Sequence, residues 1–129
     1  MKHRLFPILL LSILSINLAS SQETTDTLVL DLNNDTVEYQ LIIIDFGFDS
    51  WLATQKSRDF YSNEYYRSWN NRYVTEWNYL YNLGKYHDNI ESYIDYRPDI
   101  DYGIDINYKL YQYFQFFENK YKISLVRRR

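Results

Sequence analysis

Residues Ser62 to Gly84 read SNEYYRSWNNRYVTEWNYLYNLG, and the spacing of their rings decides the fold. Ser62 is a good N-cap, because its hydroxyl can accept an amide of the first turn. Glu64 suits the positive end of the helix dipole, and Gly84 supplies the left-handed residue that ends a helix. At about 100° per residue, Tyr65, Tyr66, Trp69, Tyr73, Trp77, Leu80 and Tyr81 fall on one side. Arg67, Ser68, Asn71, Thr75, Asn78 and Asn82 take the other. Asn70 and Glu76 intrude at the edges of the ring-built face. The segment is an amphipathic helix that needs an apolar partner.

Downstream, Tyr102 to Tyr121 carries a second stripe of Ile106, Leu110, Tyr113, Phe114, Phe117 and Tyr121, with Lys109, Gln112, Gln115 and Asn119 facing away. Between the helices, Ile90, Ser92, Ile94 and Tyr96 alternate with polar neighbours as a short strand does. Ile123 and Leu125 alternate with Ser124 and Val126 in a last strand. Upstream, Val37 to Ile44 is the best strand: Val37, Tyr39, Leu41 and Ile43 share a face, and Ile42 with Ile44 makes the far end apolar on both, as in a central strand. Gly47 breaks it, and Asp49 or Ser50 is expected to cap a short helix carrying Trp51 and Leu52. The expectation is a small single-domain α+β fold, two long amphipathic aromatic-rich helices packed on a short sheet of two to three strands.

The first 21 residues have the three parts of a secretory signal: basic Lys2, His3 and Arg4, an apolar stretch from Leu5 to Leu18, and Ala19-Ser20-Ser21 before a cut at Gln22. The apolar stretch is too short and too interrupted for a spanning helix. Residues 22–35 form a polar N-terminal tether in which Leu28-Val29-Leu30 is apolar enough for an edge strand, and residues 36–129 form the globular domain. No cysteine is present, which removes disulfides, thiolate ligands, a cysteine nucleophile and a lipidated N-terminal cysteine together. The expected product is periplasmic or secreted, with no lipid anchor and no transmembrane segment after cleavage. The net charge of −3 becomes more negative when Lys2 and Arg4 leave, which argues against nucleic acid. Arg127-Arg128-Arg129, the one basic run, reads as a solvated terminus. With 15 tyrosines, 7 phenylalanines and 3 tryptophans, rings must build most of the core.

FYSNEYYRSWNNRYVTEWNYLY (Phe60 to Tyr81), IDYRPDIDYGIDINYKLYQYFQFFENKY (Ile94 to Tyr121) and the Trp51-Leu52 segment together resemble a family of short exported proteins of unknown function common in Bacteroidetes. The resemblance runs from about Tyr39 onward. It implies an exported location and one compact domain, and it brings no catalytic residues. The family includes lipoproteins, from which this chain departs by lacking the cysteine.

Few residues have the pattern of a reactive site. Asp95, Asp99, Asp101 and Asp105 are the densest acidic group, but an EF-hand needs Gly and Glu where this chain has Ile104 and Leu110. Capping of the second helix by Asp99 or Asp101, with Asp105 in its first turn, is the expected role. Asp31-x-Asn33-x-Asp35 fails the same test at Thr36 and Ile42. His87 is the one histidine beyond the leader, so neither a zinc site nor a serine triad is expected. Three glycines make no phosphate-cradling loop. Glu76, on the ring-lined face, is a candidate general acid with Asp45 or Asp49 as its second carboxylate; the alternative is an i,i+4 pair with Arg72 or acceptance of a Tyr hydroxyl. Tyr79, Tyr108 and Phe116 fall on the polar sides of their helices and are the candidate interaction surface. The reading is a non-enzymatic exported domain that binds a protein or envelope component, without cofactor or metal. A carbohydrate-binding module is the alternative, and a small hydrolase using Glu76 comes third.

Overall fold

The computed structural model describes residues 8–15 and 37–127. The tether, the cleavage motif and Arg128-Arg129 lie outside them. In chain order the elements are β1 (Ile8–Ser15), β2 (Val37–Ile44), α1 (Phe48–Leu52), a single 3₁₀ turn (Arg58–Phe60), α2 (Asn63–Leu83) and α3 (Ile104–Tyr121). The domain is small and mixes helix with strand. β1, cut from the stretch expected to be a leader, runs antiparallel to β2 from Ile8 opposite Ile44 to Ser15 opposite Val37.

Both caps of α2 form as their residues require. Ser62 Oγ accepts the Tyr65 amide at 3.1 Å. Gly84 takes the left-handed conformation at φ 72°, with its amide on the Tyr81 carbonyl and that of Lys85 on Leu80. The buried face is turned from the expected one. It centres on Tyr66, Asn70, Tyr73, Val74, Trp77 and Leu80, leaving Tyr65 and Trp69 half-buried and Tyr81 partly exposed. Asn70, expected to intrude, is wholly buried because its amide donates to the Asn107 carbonyl across the helix interface at 2.9 Å.

α3 begins two residues later than expected and is the centre of the molecule. It packs along α2 and meets α1, the 3₁₀ turn and β2. Rings interlock along it: Phe114 stacks on Tyr73 at 4.9 Å, and Phe117 meets Trp77 edge-on at 4.8 Å. Gln112, expected to face outward, is buried, since α3 is covered on more than one side.

The two long helices therefore pack chiefly on each other; of the strands expected in the globular domain only β2 forms, and the other two segments are irregular chain. Residues 90–96 and 123–126 are not strands. Their apolar alternation still operates: Ile90, Ile94, Tyr96, Ile123 and Leu125 are buried. What differs is the partner of the backbone. Asn78 holds both the Ile94 amide and carbonyl at 2.9 Å, as a neighbouring strand would. Trp77 Nε1 donates to the Ser92 carbonyl at 2.7 Å. Glu118 Oε2 accepts the Leu125 amide at 2.6 Å and the Val126 amide at 3.2 Å. Buried peptide groups must be paired, and long polar side chains from the helices pair them. Nor is β2 buried on both faces toward its end, because Ile44 and the following Phe46 are exposed.

Candidate functional site

The sequence-derived surface of Tyr79, Tyr108 and Phe116 does not come together. Tyr79 is 57% exposed on α2. Tyr108 is half-buried, meets the Tyr66 ring at 5.5 Å and donates its hydroxyl to the Lys56 carbonyl at 2.5 Å. Phe116 is core, 5% exposed. Phe48 and Trp51 of α1 cover it at ring distances of 5.4 and 5.6 Å. Gly47 (φ 90°) makes the turn that lays α1 there, and Asp49 and Ser50 give no capping bond.

The acidic group is dispersed. Asp99 pairs with Arg97, Asp105 with Arg58, and Asp95 is exposed. Asp101 accepts the Gly103 amide, the Asn63 side chain and that of Asn107. The Gly103 amide, the Asn63 bond and nearby Arg67 hold the Asp101 carboxyl below its usual range. Gly103, not an aspartate, stands at the N-cap of α3. Among the described residues no cluster of three or more His, Cys, Asp or Glu is placed to hold a metal ion.

Asp45 is buried at the end of β2. Its carboxylate accepts Tyr113 Oη at 2.9 Å, Tyr121 Oη at 3.0 Å and Lys120 Nζ at 2.8 Å. Burial, then the adjacent carboxylate, pushes the Tyr113 hydroxyl far above its ordinary value. This knot ties β2 to the end of α3. Asp49 lies on α1, and neither Asp45 nor Asp49 lines the groove that contains Glu76.

Glu76 instead lines an open groove of about 500 Å³ between α2 and the C-terminal segment, with Asn71, Arg72, Thr75, Leu125, Val126 and Arg127. Among the described residues no second carboxylate lines it. Arg72 does not pair with Glu76; its guanidinium lies 4.8 Å over the Trp69 ring. Thr75 Oγ1 is turned back to the Asn71 carbonyl. Beyond the groove the same face of α2 continues through Tyr79 to Leu83, 59% exposed. Arg72, Glu76, Tyr79 and Leu83 stand at i, i+4, i+7 and i+11, so they form one stripe along the helix. Leu83 stands one residue before the Gly84 cap, where the helix ends; its i+4 spacing from Tyr79 is the signal in the sequence that places it on the stripe.

A second open groove of about 470 Å³ contains His87 with Tyr81, Asn82, Gly84, Ile90 and Glu91. His87 is exposed beside Asp88 at 3.5 Å. Tyr81 and the exposed Tyr93 meet edge-on, their planes 69° apart.

Fold and surface define a small single domain of mixed helix and strand, ring-packed, with open grooves. No helix among the described residues is long and apolar enough to cross a membrane. The chain belongs to the Family of unknown function (DUF6146), which it matches over residues 5–127. No curated protein and no solved structure matches it.

Proposed function

We propose that this chain is an exported, non-enzymatic domain that binds a protein or envelope component through the outer stripe of α2. The observation that carries the reading is the alignment of exposed Tyr79 and Leu83 on the same helix face as Arg72 and Glu76, which line the open groove beside them. Two exposed apolar side chains are ordinary in isolation. Set one turn apart and continuous with a charged groove, they form the ring-and-rim surface that partners cover.

Export is supported by the basic start, the apolar stretch and Ala19-Ser20-Ser21. Cleavage before Gln22 takes β1 away from β2, so the mature domain presents the β2 edge. Intact-mass measurement of the exported protein is expected to give an N-terminus at Gln22, and retention of Met1 contradicts it. The carbohydrate reading has less support, because Tyr81 and Tyr93 stand edge-on and offer no flat row for a sugar ring. The hydrolase reading has less support, because among the described residues no second carboxylate lines the Glu76 groove.

The binding reading is tested with a tagged chain and its Tyr79→Ser/Leu83→Ser double variant, both expressed in the producing host. The variant is expected to melt as the parent does, since neither side chain is buried, yet to lose the envelope component that co-purifies with the parent. Undiminished capture of that component by the folded variant overturns it.

A further inference from the structure

We infer that the α2 groove takes an acidic peptide segment of a partner protein, a carboxylate held by Arg72 and Arg127 and followed by an apolar side chain on Tyr79 and Leu83. This rests on the binding reading above and adds the chemistry of the ligand.

The arginines carry the argument. Five lie among the described residues, and three hold carboxylates of the same chain: Arg58 with Asp105, Arg67 with Glu64 at 2.9 Å, and Arg97 with Asp99 at 2.9 Å. Arg72 and Arg127 hold none among the described residues, and both line this one groove, from opposite walls. Arg72 is moreover preorganised. Stacking on Trp69 fixes one face of the guanidinium and leaves its edge N–H groups free for the two oxygens of a carboxylate. The opposite wall is fixed too, because Glu118 holds the Leu125 and Val126 amides. Glu76 is the internal competitor. An Arg72–Glu76 pair has the less favourable order for an i,i+4 ion pair on a helix, and the chain does not form it.

The length of the stripe sets the spacing in the ligand. Tyr79 and Leu83 follow Arg72 by seven and eleven residues, or about 10 and 16 Å along a helix. An extended peptide rises about 3.3 Å per residue, so it covers that span in about three to five residues. Glu76 lies between and accepts an N–H of the bound segment. The open groove suits an extended chain lying along the surface better than an enclosed small molecule.

The test is fluorescence anisotropy of a labelled synthetic peptide with the purified protein. The peptide carries one glutamate, a Gly/Ser spacer and a tryptophan about four positions on. Binding is expected to fall roughly tenfold or more when the probe glutamate becomes glutamine or when the protein carries Arg72→Glu. It should strengthen with Glu76→Gln and weaken with added salt. Equal binding of the glutamate and glutamine probes overturns the inference, as does binding unchanged by Arg72→Glu. Displacement of the probe by polygalacturonate, with the tryptophan dispensable, makes the groove an acidic-polysaccharide site instead. Tightening of the probe by Asp26→Asn assigns the groove to this chain's own tether, where Leu30 follows Asp26 at the same spacing. If Arg72→Glu leaves capture of the envelope component intact while Tyr79→Ser/Leu83→Ser abolishes it, the ligand chemistry is wrong and the binding reading stands.

Discussion

Replacing Asn78 by alanine removes the clasp that stands in for a strand partner at Ile94. The Asn78 amide nitrogen donates to the Ile94 carbonyl, its oxygen accepts the Ile94 amide, and both distances are 2.9 Å. Ile94 is among the fully buried side chains, so water does not readily replace either bond. A buried backbone group left unpaired costs about 1–3 kcal/mol, and two groups are released. Alanine returns about 0.5 kcal/mol of helix propensity. The net loss is expected at about 1.5–5.5 kcal/mol, from a total of about 5–15 kcal/mol for a domain. Urea unfolding followed by tryptophan fluorescence measures it, since Trp77 is buried and bonded to Ser92 in the same segment. The midpoint should fall with an unchanged slope. Asn78→Asp keeps an acceptor for the amide but points a carboxylate oxygen at the Ile94 carbonyl, so it should cost at least as much. A loss under about 0.5 kcal/mol in both variants would refute the view that helix side chains replace a sheet here.

Two further outcomes follow from the same packing. Phe116→Ala should cost about 3–5 kcal/mol, because α1 closes over that ring; a loss below about 1 kcal/mol in chemical denaturation would place the ring outside the core. Burial pushes the Tyr96 hydroxyl up to about 12 and raises Tyr66, Tyr102 and Tyr113 as well. A phenol raised above its unfolded value near 10 contributes stability that is full below that pH and lost as pH rises toward the folded value. Tyr96 alone accounts for about 3 kcal/mol across that window. Tyrosinate absorbance and circular dichroism recorded together should show these phenols ionising only as the helices melt. Complete ionisation at about pH 10 with the fold intact contradicts the assignment.

Much of the helical part was legible in the sequence because caps and ring spacing are local signals. Ser62 and Gly84 act as their chemistry requires, and the stripes of α2 and α3 meet. Periodicity reports which side of a segment is buried, however, and not what its backbone bonds to. Ile90 to Tyr96 and Ile123 to Val126 alternate as strands do, yet Asn78, Trp77 and Glu118 supply their hydrogen bonds. Asn70 looked like an intruder because its partner, the Asn107 carbonyl, lies on the other helix. Phe116 looked exposed because its cover, five residues of α1, is too short to show a period. At the groove, Glu76 and Tyr79 could be singled out in advance. The approach of Arg127 to Arg72 depends on where Glu118 pins the C-terminal segment, and no spacing in the sequence encodes that.

The central functional claim, that a partner covers the outer stripe of α2, is tested most directly by photo-crosslinking in the producing cells. A benzophenone side chain is placed at Tyr79 in one strain and at Tyr93, whose ring meets Tyr81, in another. Both positions are exposed, so either substitution should leave the fold unchanged. A discrete adduct is expected from position 79 that weakens with Leu83→Ser, and none from position 93. An adduct from position 93 alone, or none from position 79, contradicts it.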